Sequence, residues 1–128
     1  MIKRNKGKAK IIMGTGSNST AATVKATAQA EKLGADGILV VAPYYNKPNQ
    51  AGLVEHFSQV ASATKLPLIL YNIPGRTGVN VDVETILTLN STCGNIRYLK
   101  DSTGSTDQSA DIAARAAADF RIYSVDDY

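Results

Sequence analysis

Asn95-Ile96-Arg97-Tyr98-Leu99-Lys100-Asp101-Ser102-Thr103-Gly104 reads as a short buried strand that ends on a lysine and runs into a polar loop. The two-residue strand period places Ile96, Tyr98 and Lys100 on one face, so the lysine points where the apolar residues point. An ammonium among apolar walls loses solvation, which lowers its pKa. A neutral amine at ordinary pH attacks a ketone and can form a Schiff base. The competing reading is a lysine that snorkels from a strand end into water. Spacing alone favours that plainer reading, because lysine is rarely buried.

Working outward, strands and helices alternate along the chain. Ala9–Met13 reads as a strand closed by Gly14-Thr15-Gly16, with Ser17, Asn18 and Ser19 as candidate N-caps. A helix is predicted from Thr20 to Leu33, with Val24, Ala28 and Leu33 among its apolar positions and Gly34 as its stop. Gly37–Ala42 is a continuous branched strand of the kind parallel sheets bury. After the Pro43–Pro48 loop, a helix over 50–64 sets Leu53, Phe57, Val60 and Ala61 on one face. Leu66–Tyr71 is a third strand, 72–78 a loop, and Val83–Leu89 a helix. The strand ending on Lys100 is followed by a helix over 106–118 and a fifth strand over 120–124. This is the βαβ pattern of a parallel sheet. A doubly wound sheet and a (β/α)8 barrel both fit, although a closed barrel takes about 250 residues. Gly14-Thr15-Gly16 lacks the third glycine of a dinucleotide-binding loop.

Composition removes several classes. The 128 residues suffice for one domain over 1–128, and 44% hydrophobic content argues against disorder. The net charge of +3 is concentrated in a basic N-terminal end, residues 1–8, continued by Lys10. No aromatic residues interleave with that run, which points to a solvated end rather than a nucleic-acid surface. Cys93 is the lone cysteine, so no internal disulfide forms, as suits a reducing cytoplasm. His56 is the lone histidine and no CxxC is present, which leaves a zinc site without its usual ligands. His56 reads as structural or surface, away from the site. No apolar run approaches the roughly 20 residues of a membrane span, and the basic start has no apolar core behind it.

Four loops carry a family likeness. Gly14-Thr15-Gly16-Ser17-Asn18-Ser19-Thr20, Pro43-Tyr44-Tyr45-Asn46-Lys47-Pro48, Tyr71-Asn72-Ile73-Pro74-Gly75-Arg76-Thr77-Gly78 and Leu99-Lys100-Asp101-Ser102-Thr103-Gly104 resemble, in order and spacing, the dihydrodipicolinate synthase and N-acetylneuraminate lyase family. Members are pyruvate-dependent class I aldolases on (β/α)8 barrels. The resemblance runs from about residue 9 to residue 127. It implies an α/β fold in which this chain forms a partial barrel of about five β/α units. It implies condensation of pyruvate with aspartate semialdehyde, in lysine and diaminopimelate biosynthesis, as a lyase of the cytoplasm. By the same resemblance Lys100 forms the imine, Tyr71 shuttles its protons, and Arg76 with Gly75 receives the aldehyde substrate's carboxylate. Tyr45 matches the tyrosine that crosses a dimer interface into a neighbouring site, which implies a homo-oligomer. No cofactor is implied, because the protonated imine is the electron sink. No metal, nucleic-acid or membrane partner is implied either.

The chain also departs from the family. It corresponds to barrel strands three to seven, and no segment matches the Gly-Thr-Thr-Gly-Glu loop that binds pyruvate's carboxylate. Tyr98 and Val125 stand where small residues are usual, and Ala22 where lysine-regulated members carry glutamate. Thr77 and Asn80 receive no role. The alternatives are another pyruvate aldolase, such as a sialic-acid or sugar-acid lyase, and a non-catalytic barrel fragment. Arg76 favours the synthase branch over the sialic-acid lyases.

Overall fold

The structure, a computed structural model, describes residues 2–5 and 7–125. Residues 126–127, at the end of the stretch that carries the resemblance, lie outside the described residues, as does Lys6 of the basic run. Five strands form one parallel sheet: β1 (Ile12–Gly14), β2 (Gly37–Val41), β3 (Leu68–Asn72), β4 (Ile96–Asp101) and β5 (Arg121–Ser124). The helices are α1 (Ile2–Asn5), α2 (Thr20–Lys32), α3 (Gln50–Ser62), α4 (Pro74–Thr77), α5 (Val83–Thr92) and α6 (Thr106–Arg115).

The sheet order is β1-β2-β3-β4-β5. A doubly wound sheet reverses its strand order at a switch point, and this one never does. Sequential order with each helix returning to the next strand is the winding of a (β/α)8 barrel, of which these strands make an arc. Successive long helices pack on one another, α2 on α3, α3 on α5 and α5 on α6. They cover one face of the sheet, where Ile38, Val40, Leu68, Leu70, Ile96 and Leu99 are fully buried among Leu53, Phe57, Val60, Ile86 and Leu89. Each such side chain contributes about 1.5–3 kcal/mol. The opposite face carries Leu39, Val41, Ile69, Tyr71, Tyr98 and Lys100, all only partly buried. That is the face a barrel turns inward.

Three expectations are corrected. Ile96 does not share the face of Tyr98 and Lys100. The β3–β4 register pairs Leu68 with Ile96 but Ile69 with Tyr98, so Arg97 is the extra residue of a bulge. The bulge resets the alternation and sends Ile96 to the helix side. On α2 the buried positions are Thr23, Thr27 and Ala30, while Leu33 is the C-cap and 54% exposed. Hydroxyls dominate there because the preceding loop supplies partners. Thr27 Oγ1 lies 2.8 Å from Thr15 Oγ1, and Thr23 Oγ1 lies 3.0 Å from Ser17 Oγ. The segment 74–77, expected as loop, is one helical turn that Gly78 ends at φ +79, where glycine carries no steric penalty. The solvated N-terminal end includes the short helix α1.

Candidate functional site

The C-terminal ends of β3 and β4 bring two of the predicted residues together. Tyr71 and Lys100 are register partners on adjacent parallel strands, so their side chains leave the same face side by side. Lys100 Nζ sits 4.1 Å from the centroid of the Tyr71 ring. A cation over a ring face is held by the ring quadrupole, which suits both an ammonium and a protonated imine. On its other side Lys100 pairs in register with Tyr123 of β5. Tyr98, one step down Lys100's face, has its ring 6.2 Å from that of Tyr123. Below the amine the same face forms an open depression of about 670 Å³ with Ile12, Leu39, Ile69, Tyr98 and Tyr123 among its walls. The amine therefore emerges at the top of an apolar trough, with a phenol beside it.

Arg76 stands in α4, at the same end of the sheet, and is exposed. No hydrogen bond or ion pair engages its guanidinium among the described residues, which leaves the fork free for a carboxylate. Gly75 precedes it, and a Cβ there would meet nothing within 4 Å. Nothing inside the chain demands a glycine at that position. Tyr45 is not brought to the Lys100–Tyr71 pair. It is 87% exposed on the β2–α3 loop at φ +75, a left-handed conformation that a tyrosine rarely adopts. The Tyr45 N–H donates to Thr77 O at 3.1 Å, which ties its loop to α4.

His56 is structural: 4% exposed, with Nδ1 2.7 Å from Thr20 Oγ1 at the start of α2. Burial pushes its pKa below the ordinary 6.5. Its Nε2 is buried without a partner among the described residues. Cys93 is a half-buried free thiol. No group of three or more metal-ligating side chains occurs among the described residues, and no described helix is long and apolar enough to cross a membrane.

Sequence reasoning missed the residues behind the site. Asn72, fully buried next to Tyr71, uses its amide to grip Asn80 and Val81. Asp101, buried next to Lys100, accepts from the Ser109 hydroxyl and, at 3.0 Å, from the Thr103 N–H. Thr77 is buried and donates to Ile73 O or Val79 O within its own loop. The available signal was a single polar residue closing each apolar strand directly after the reactive one.

Residues 1–128 match the model of the Dihydrodipicolinate synthetase family. A 4-hydroxy-tetrahydrodipicolinate synthase of Alkaliphilus oremlandii is 52% identical over 126 residues, covering 98% of this chain and 43% of that protein. One from Halalkalibacterium halodurans is 50% identical over 121 residues, covering 94% and 41%. The crystal structure of a dihydrodipicolinate synthase from Aquifex aeolicus superposes with a TM-score of 0.96 at 48% identity, covering 98% of this chain and 43% of the other. The chain thus spans less than half the length of the relatives it matches.

Proposed function

The chain belongs to the dihydrodipicolinate synthetase family, and from that premise we propose that it carries the imine-forming part of a 4-hydroxy-tetrahydrodipicolinate synthase site. The observation that supports this most is the Lys100 amine lying against the Tyr71 ring at the C-terminal strand ends. The Lys100 nitrogen attacks C2 of pyruvate, and loss of water leaves an iminium. A C3 proton then departs, with Tyr71 as carrier, and the electron pair of that C–H bond becomes the enamine. The enamine carbon attacks the aldehyde carbon of aspartate semialdehyde, whose oxygen takes up a proton, and water adding to the regenerated iminium breaks its C–N bond and returns the Lys100 amine. Arg76, with Gly75 leaving room beside it, receives the semialdehyde's carboxylate through its two-pronged fork. The iminium itself stores the electrons, so this scheme calls on no cofactor. Tyr45, projecting into solvent, supplies a neighbouring copy's proton relay in a homo-oligomer. The setting is lysine and diaminopimelate biosynthesis in the cytoplasm.

Pyruvate and borohydride, followed by intact mass and peptide mapping, test the reading. Reduction is expected to fix one pyruvate-derived group on Lys100. Lys100→Arg is expected to abolish it, because arginine stays protonated and forms no imine. Labelling at Lys47 or Lys65 with Lys100 clean would overturn the assignment.

A further inference from the structure

Four side-chain amides meet directly behind the Lys100–Tyr71 pair, and the reaction outlined above uses none of them. Strand alternation turns Tyr71 to the inner face and Asn72 to the helix side. There Asn72 is fully buried. An amide so placed is costly unless its polar atoms are paired. Both sides of it are: Nδ2 donates to Asn80 Oδ1 at 3.0 Å and to Val81 O at 3.1 Å, and Oδ1 accepts from Val81 N at 3.1 Å. One side chain therefore closes the mouth of the loop that carries Gly75 and Arg76. Asn80 passes the connection on. Its Nδ2 donates to Gln108 Oε1 at 2.9 Å, in the first turn of α6. Its carbonyl accepts from Gln50 Nε2 at 2.9 Å, at the first residue of α3. Gln50 Oε1 accepts in turn from Asp82 N at 3.1 Å and Thr85 Oγ1 at 2.7 Å, at the start of α5. The backbone joins in, since Ser102 N, two residues past Lys100, donates to Asn72 O at 2.9 Å.

The N-termini of three helices, and the ends of the two strands that carry Tyr71 and Lys100, are thus fastened at one hub. We propose that Asn72, Asn80, Gln50 and Gln108 form a positioning latch. It holds the 73–81 loop shut and fixes the Tyr71 phenol and the Arg76 guanidinium relative to the Lys100 amine. The catalytic half of this inference rests on the imine reading; the loop half does not.

Arg76–Thr77 is a trypsin-sensitive bond inside the latched loop, and cleavage requires the loop to open locally. Native-state trypsinolysis of the 128-residue chain is compared with Asn72→Ala and with the gentler Asn80→Ala, each well below its melting temperature. The latch predicts that cleavage at Arg76 accelerates about tenfold or more, the cost of orphaning buried amide partners. The remaining lysine and arginine bonds change little. A uniform rise at all bonds that tracks lost global stability, or no rise at Arg76, overturns the proposal. For the catalytic half, deuterium exchange at the pyruvate methyl is divided by the amount of imine trapped with borohydride. A displaced phenol lowers that ratio, whereas mere destabilisation lowers both quantities together and would refute positioning. A wild-type chain that never traps pyruvate refutes the imine reading and the catalytic half, and the cleavage pattern still decides the loop half.

Discussion

At the scale of single residues, chemistry and placement separate cleanly. Lys100 stands out in the sequence because a lysine closes an apolar strand. Its association with Tyr71 came from the family likeness and not from spacing, since strand register depends on contacts between segments far apart in the chain. Arg76 and Tyr45 were marked by the family likeness, and the structure leaves both pointing into solvent rather than joining them to the pair. His56 shows how a lone titratable residue is absorbed by packing. Burial holds its imidazole below the ordinary 6.5, so the unfolded chain takes up a proton at a pH where the folded chain does not. The unfolded state then binds more protons, and stability falls as pH drops through that window. Urea denaturation from about pH 8 down to about pH 5 is expected to show His56→Gln losing less stability than wild type over that interval. Parallel pH profiles for the two proteins would assign the loss to other groups.

At the scale of elements, the period-based reading located all five strands and the four long helices, with errors of a few residues at the ends. It failed where one residue changed the bookkeeping. The Arg97 bulge moved Ile96 to the other face, and no composition signal marks a bulge in advance. The threonine face of α2 was hidden for a different reason. Hydroxyls count as polar in a hydrophobic pattern, yet Thr23 and Thr27 are fully buried once Thr15 and Ser17 become their partners. That same junction makes Gly16 a packing requirement. A Cβ at Gly16 would lie 2.5 Å from Val41 N and 2.9 Å from a Val41 methyl, whereas a Cβ at Gly75 would touch nothing. Gly16→Ala is therefore expected to cost roughly 1–3 kcal/mol by overpacking. Gly75→Ala is expected to stay within about 0.5 kcal/mol of wild type, as unconstrained surface changes do. Thermal or urea denaturation of the two variants measures the contrast, and equal losses would mean that the β1–α2 turn yields freely.

At the scale of the whole chain, the alternation of strands and helices announced a parallel sheet. The sequential strand order then settled which kind, something no local pattern encodes. The order also fixes what the 128-residue chain exposes by itself. Among the described residues β1 and β5 are edges with a neighbour on one side only. Ile12 on β1 is 53% exposed and Tyr123 on β5 is 56% exposed. Between them the inner face presents Leu39, Ile69 and Tyr98, all only partly buried, with no covering layer among the described residues. Unpaired strand edges offer backbone donors and acceptors to another chain, and an adjoining apolar face adds a hydrophobic drive to the same contact. The purified chain is therefore expected to self-associate, with an average mass in sedimentation that rises with concentration. Ile12→Lys with Tyr123→Lys places a charge on each edge strand and is expected to shift the chain towards monomer without unfolding it, since neither side chain belongs to the helix-side core. Association that persists unchanged in this double variant would place the contact on the helices instead. A wild-type chain that stays monomeric across the concentration range would show that the edges and the inner face are protected in some other way.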